Sequence, residues 1–338
     1  MRLHRFFYRF GVMVVAALLA VPSAYATTFL GENGRIAYTV SQRGAIDLRL
    51  MQADGSHDYL VARGAKHPVW SPNGQKLAYI LQGQLFTMHV NGVKKCLTCS
   101  SAVPAHSPAW SADGKWLAFV RTVKAANGQP QSAIFTTKSS SANEQNITGW
   151  LKNGEYNSPS FSPDGTRLVY EKRAANTRQL YIKNLAMNYE RLLTSLSDDV
   201  DSRVSFSPNG KKILFNDSAN EIYTIWPDGS HRSVISDGDS YQASFSPNGD
   251  RVVFLEDPSD ASIGVSGPDG SVSYLLIDTM GYQTIGTPQF SPDGQKLLFT
   301  LSSEQTSALF SLELGKPDAQ PLKLATGLIT EASWQAIK

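Results

Sequence analysis

Six times along this chain an aromatic residue is followed by Ser, one variable residue, Asp or Asn, and Gly, and each copy leads into an apolar segment. The copies are Trp70-Ser71-Pro72-Asn73-Gly74, Trp110-Ser111-Ala112-Asp113-Gly114, Phe161-Ser162-Pro163-Asp164-Gly165, Phe206-Ser207-Pro208-Asn209-Gly210, Phe245-Ser246-Pro247-Asn248-Gly249 and Phe290-Ser291-Pro292-Asp293-Gly294. Their aromatics lie 40, 51, 45, 39 and 45 residues apart. A unit that recurs at this period cannot bury its apolar face alone, and stacking on its neighbours completes the core.

Each unit reads as four short strands. After the Gly comes an apolar strand such as Lys76-Leu77-Ala78-Tyr79-Ile80 or Lys296-Leu297-Leu298-Phe299, then a second such as Leu85-Phe86-Thr87-Met88. Gly turns follow at Asp54-Gly55, Asn91-Gly92, Asp228-Gly229 and Asp269-Gly270. Apolar runs of this length between Asx-Gly turns are hairpin signals. No segment after residue 30 has helical periodicity. Four strands per unit, called A (ending at the aromatic) to D, make a β-propeller blade, so an all-β propeller is expected. Arg35-Ile36-Ala37-Tyr38 is a B strand with no A strand before it, and Ala332-Ser333-Trp334 is an A strand with nothing after it to pair with. Pairing the two closes the ring, removes its open edges and gives seven blades. Six blades is the alternative, with one unit pairing irregularly.

Residues 1–26 read as a cleaved secretory leader: Arg2, Arg5 and Arg9, then the apolar run Gly11–Val21, then Ala24-Tyr25-Ala26. The run is shorter than the roughly 20 residues of a membrane span. Cleavage after Ala26 into the periplasm is expected, leaving residues 27–338 as one propeller domain. With three of 31 basic residues gone, 28 remain against 29 acids, a net charge of about −1. No Lys/Arg stripe appears, so nucleic acid is not expected as a partner.

Turn chemistry explains the repeated Ser, Pro and Asx, and the aromatics are expected to pack between blades. The D-to-A loops instead vary, and with the B-to-C loops they open on one face. Three and four residues before each aromatic they present Lys66 and His67, His106 and Ser107, Asn157 and Ser158, Ser202 and Arg203, Tyr241 and Gln242, Gly286 and Thr287, and Thr330 and Glu331. Chemistry that changes from blade to blade on a rigid scaffold is expected to bind. The candidate partner-binding rim is Lys66, His67, His106, Asn157, Arg203, Tyr241, Gln242 and Glu331. A long B-to-C loop, Val123 to Ser132, overhangs the same face.

Other constellations carry less. Cys96-Leu97-Thr98-Cys99 lacks the His of haem attachment. Residues three apart in an extended strand lie ~10 Å apart, beyond the ~7 Å reach of a disulfide. A Cys96–Cys99 bond therefore requires a turn at Thr98, and free thiols are the alternative. His67 and His106 stand at neighbouring blade entrances, but no third ligand completes a metal site. Asp198-Asp199-Val200-Asp201 lacks the Gly and distal Glu of a calcium loop. No nucleophile elbow, phosphate loop or dinucleotide fingerprint is present. No cofactor and no metal are expected.

The string Pro68-Val69-Trp70-Ser71-Pro72-Asn73-Gly74-Gln75-Lys76-Leu77-Ala78-Tyr79 resembles the repeat of the TolB propeller family, and the likeness runs from about Arg35 to Trp334. The resemblance implies a periplasmic, non-catalytic scaffold whose partner is an envelope protein, a lipoprotein or a Tol-type component. Two features depart from TolB: only Thr27–Gly34 precede the first strand where TolB has an α/β domain, and seven blades are expected where TolB has six. Related propellers accompany prolyl oligopeptidases, but no hydrolase domain follows Trp334. An enzyme at the channel mouth, a carbohydrate lyase or hydrolase using His67 or His106, is the alternative function.

Overall fold

The computed structural model describes residues 32–337, apart from 43, 175–176, 195–199, 237–239, 257–261, 272–273, 278–282, 285–287, 303–306 and 317–318. Residues 1–26, expected to be a leader, together with Gly286, Thr287 and the Asp198-Asp199 part of the acidic loop, thus lie outside the described residues. So do the side chains of Ser202, Arg203, Tyr241 and Thr330, although their backbones are described.

The described residues form strands throughout, arranged as seven four-stranded blades. Blade 1 combines both ends of the chain, Leu328–Ile337 as its inner strand and Glu32–Gln42, Ala45–Met51 and Tyr59–Arg63 outside it. Blade 2 is Ala65–Trp70, Lys76–Leu81, Gln84–His89 and Lys94–Cys96. The inner strands of blades 3 to 6 are Ala105–Trp110, Gly154–Phe161, Val200–Phe206 and Ser240–Phe245. In blade 7 the inner strand is in two pieces, Gln283–Thr284 and Gln289–Phe290. Leu328–Ile337 runs antiparallel to Glu32–Gln42, with Trp334 opposite Ile36 and Glu331 opposite Thr39. This is the predicted closure, and the count is seven rather than six.

The repeated motif is the turn that joins the A and B strands. In each copy the Ser side chain is buried. Ser71 Oγ donates to Asn73 Oδ1 (2.8 Å) and accepts from the Lys76 N–H (2.9 Å), and Asn73 Oδ1 also accepts from the Gln75 N–H (3.1 Å). The other five copies repeat the first two bonds, for example Trp116 N–H to Ser111 Oγ and Arg251 N–H to Ser246 Oγ, both 2.9 Å. The glycine closes the turn at φ between 67° and 75°, a left-handed conformation that glycine adopts without strain. Where the chain is cut, Gln335 stands in for the serine. Its Oε1 accepts from the Arg35 N–H (2.8 Å), as Ser71 Oγ does from Lys76, and its Nε2 donates to the Gly74 carbonyl (2.7 Å).

The core lies between blades. Leu48, Leu50 and Val61 of blade 1 pack with Trp70, Leu77 and Tyr79 of blade 2, and Ile36 and Trp334 pack with Leu298 and Leu309 of blade 7. Each fully buried large apolar side chain contributes roughly 1.5–3 kcal/mol. Inner strands are also laced together by polar side chains: Ser160 Oγ accepts from the Phe206 N–H, Ser333 Oγ from the Trp70 N–H, and Gln289 Nε2 donates to the Ala332 carbonyl.

One expectation is corrected. Val123–Ser132 is not a loop but the tip of a long hairpin, whose strands Trp116–Lys124 and Pro130–Lys138 pair to Lys124–Pro130. The Asn127-Gly128 turn is closed by the Ala125 N–H on the Gln129 carbonyl (2.9 Å). The strands simply continue, because Thr122 and Val123 keep finding partners in Ser132 and Gln131. Gln131 then meets Gly154 in a parallel bridge that joins blades 3 and 4.

Candidate functional site

Antiparallel order puts the starts of the A strands and the B-to-C turns at one end of the ring. There the inner strand carries the same irregularity in most blades. Lys66 pairs with Ile80 and Val69 with Ala78, so His67 and Pro68 together oppose Tyr79. The register breaks at the matching place between His106 and Ala109, Asn157 and Ser160, Asp201 and Ser205, and Tyr241 and Ser244. His67, Ser107, Ser158 and Gln242, each three residues before its aromatic, adopt φ of 55°, 50°, 47° and 56°. For residues with a Cβ this costs roughly 1–2 kcal/mol each. A bulge re-aims a side chain. Here it repeats around the ring at the positions where the chemistry changes.

The bulges bring several of the expected rim residues together. His67 Nδ1 lies 2.7 Å from Glu331 Oε1, and the His67 N–H donates to Glu331 Oε2 (2.7 Å). This pair ties the inner strand of blade 2 to the closing strand. Thr39, opposite Glu331, donates to the same carboxylate (3.5 Å). His106 Nε2 is 2.9 Å from Thr122 Oγ1 and its Nδ1 is 3.1 Å from Ser107 Oγ. Burial, and then the nearby His67 and Lys66, push its pKa down to about 4, so the imidazole is neutral near pH 7. His106, His67 and Lys66 are therefore electrostatic neighbours, while Lys66 itself is exposed.

The other rim residues stand on the far side. Asn157 is half-buried and lies opposite Glu171, a buried carboxylate-bearing residue of the next strand. Gln242 Oε1 is buried without a hydrogen-bond partner. The backbone of Tyr241 takes the place of Asn157 in blade 6, and that of Arg203 lies within the register break of blade 5, three residues before Phe206.

Sequence reasoning missed the residues that face the rim from the B strands: Thr39, Glu171 and Asn216 stand where blades 2, 3 and 6 carry Ile80, Val120 and Leu255. A polar residue inside an otherwise apolar strand was the available signal.

Among the described residues no cluster of His, Cys, Asp or Glu is arranged to hold a metal ion. No described helix is long and apolar enough to cross a membrane. Cys96 and Cys99 are disulfide-bonded with Cα atoms 5.8 Å apart. The chain turns there because the buried Thr98 hydroxyl accepts from the Leu85 N–H (2.8 Å) and donates to Gln84 Oε1 (2.7 Å).

The family model of the TolB beta propeller domain matches residues 29–263. The chain belongs to that family. A curated relative, the uncharacterized protein Atu1656 of Agrobacterium fabrum, is 28% identical over 254 residues, which cover 69% of this chain and 83% of the relative. Among solved structures, TolB from Acinetobacter baumannii matches with 20% identity and a TM-score of 0.56, over 91% of this chain and 67% of that one. An oligogalacturonate lyase in complex with manganese matches with 13% identity and a TM-score of 0.69, over 84% of this chain and 86% of that one. A puromycin hydrolase matches with 13% identity and a TM-score of 0.66, over 91% of this chain but 56% of that one. At these identities the structural likenesses establish the propeller fold alone, and the fold hosts both scaffolds and enzymes.

Proposed function

We propose that this protein is an exported, non-catalytic propeller that docks an envelope protein on the rim around the channel mouth. Residues 1–26 are its leader, cleavage after Ala26 delivers residues 27–338 to the periplasm as one domain, and no cofactor takes part. The observation that carries the reading is the repeated bulge. One strained backbone position holds His67, Ser107, Ser158 and Gln242 in four blades. The A-to-B turns at the other face keep one chemistry in six of the seven blades. A scaffold whose side chain changes from blade to blade at one repeated backbone position is suited to recognition. The partner contacts Lys66, His67, His106, Asn157, Arg203, Tyr241, Gln242 and Glu331.

In-cell photocrosslinking tests this. A photoreactive residue at Lys66 should capture one envelope protein, and the same residue at Asp164, on the opposite face, should capture none. Equal capture from both sites, or from neither, would overturn the rim.

A second reading rests on His67 and Glu331. A carboxylate 2.7 Å from an imidazole nitrogen is the arrangement that orients a general base. A channel-mouth lyase or hydrolase would use it. Stoichiometric transition metal in the purified protein, lost on His67→Ala with His106→Ala, would favour the enzyme over the scaffold.

A further inference from the structure

The A-to-B and C-to-D turns lie at the end of the ring opposite the rim. At that end blades 2 and 3 carry five lysines. Lys76 and Lys115 stand beside the A-to-B turns, Lys94 and Lys95 just after the C-to-D turn of blade 2, and Lys138 at the close of the C strand of blade 3. They form no stripe in the sequence, because folding gathers them from residues 76 to 138. Two ammonium groups converge on one turn beside Lys138: Lys76 Nζ donates to Ser139 Oγ (3.3 Å), and Lys95 Nζ donates to the Ser140 carbonyl (2.7 Å). Lys94 Nζ donates to the Val61 carbonyl of blade 1 (2.7 Å). These acceptors are neutral. Among the described residues, no carboxylate lies within ion-pair distance of Lys76, Lys94, Lys95 or Lys138. Lys115 alone is matched, by Asp113 at 3.7 Å. Glu144, from the same blade, is committed to the buried Arg121 (2.8 Å).

We propose that this sector docks on a bilayer surface carrying anionic lipid headgroups. Like charges held together by neutral acceptors repel one another, and a surface of opposite charge relieves that repulsion. Lysines attract such a surface without needing a pocket, each strengthening binding roughly fivefold. Lysine is depleted in protein interfaces, where Arg, Tyr and Trp are enriched, so this sector is unlike a protein-docking face. Lys94, Lys95, Lys115 and Lys138 are all exposed. Val93, 64% exposed in the Asn91-Gly92-Val93 turn beside Lys94, adds apolar surface that enters the headgroup layer. Docking by this end leaves the rim facing away from the bilayer, whatever the rim binds.

Vesicle flotation tests this with residues 27–338, which hold all seven blades. Residues 1–26 are left out because the apolar run Gly11–Val21 would itself enter a bilayer. The chain should float with mixed phosphatidylcholine–phosphatidylglycerol vesicles and stay behind with phosphatidylcholine alone. Raised salt should release it. Lys94→Gln, Lys95→Gln and Lys138→Gln together should weaken binding roughly a hundredfold. Lys66→Gln, Lys124→Gln and Lys152→Gln make the same charge change at the rim end and should leave binding almost unaltered. Both sets replace exposed residues. Inorganic phosphate at constant ionic strength should not displace the chain. Equal loss from both sets, flotation with neutral vesicles, or displacement by phosphate would overturn the bilayer surface. No flotation with the anionic vesicles would overturn it too, and leave the lysines to an acidic protein.

Discussion

At the scale of single residues, His106 shows how the rim controls charge. Its imidazole is buried between two hydroxyls with His67 and Lys66 nearby, and its pKa falls to about 4 from an ordinary 6.5. The unfolded chain therefore binds a proton between about pH 6.5 and pH 4 that the native protein does not. Stability is full above pH 6.5 and is lost as pH falls towards 4, by up to about 3 kcal/mol. Urea unfolding at pH 7 and pH 4.5 should show this loss, and His106→Gln should flatten it. An imidazole that titrates near 6.5 by NMR would contradict it. That His67 and His106 are neighbours was legible in the repeat spacing, since both stand just ahead of a motif aromatic. That Glu331 meets His67 was legible only once the two chain ends were placed in one blade.

At the scale of the element, the turn repeats one chemistry while the bulge repeats one backbone shape under changing side chains. The turn could be read from sequence because Ser, Asx and Gly each have one local task. The bulge could have been read too: Pro68, Pro108 and Pro159 sit inside strands, where a residue without an N–H belongs at a break in the ladder. The same turn glycine meets different surroundings around the ring. At Gly165 an added Cβ would meet nothing within 4 Å, whereas at Gly74 it would lie 1.9 Å from the Ala336 carbonyl oxygen. Both have φ near 68°. Gly165→Ala should therefore cost only the conformational term, roughly 1–2 kcal/mol. Gly74→Ala should add about 1–3 kcal/mol by forcing the closing strand away. Equal losses in chemical denaturation would show that the closing strand does not press on this turn.

At the scale of the whole molecule, one unit repeated seven times makes a ring whose two ends meet in blade 1. The fold was legible because the period, the hairpin signals and the two half-blades agreed. The polar residues that back the rim, such as Thr39 and Glu171, showed only as polar breaks in apolar strands, because their pairing opposite Glu331 and Asn157 depends on register. The rim depends on closure: Glu331 reaches His67 only if Leu328–Ile337 is the inner strand of blade 1, and Gln335 binds Gly74 from the same strand. Native-state hydrogen exchange tests this most directly. Closure predicts that the paired amides of Leu328–Ile337 exchange as slowly as those of Glu32–Gln42, as one cooperative unit. Fast exchange across 328–337 beside a protected Glu32–Gln42 would contradict it.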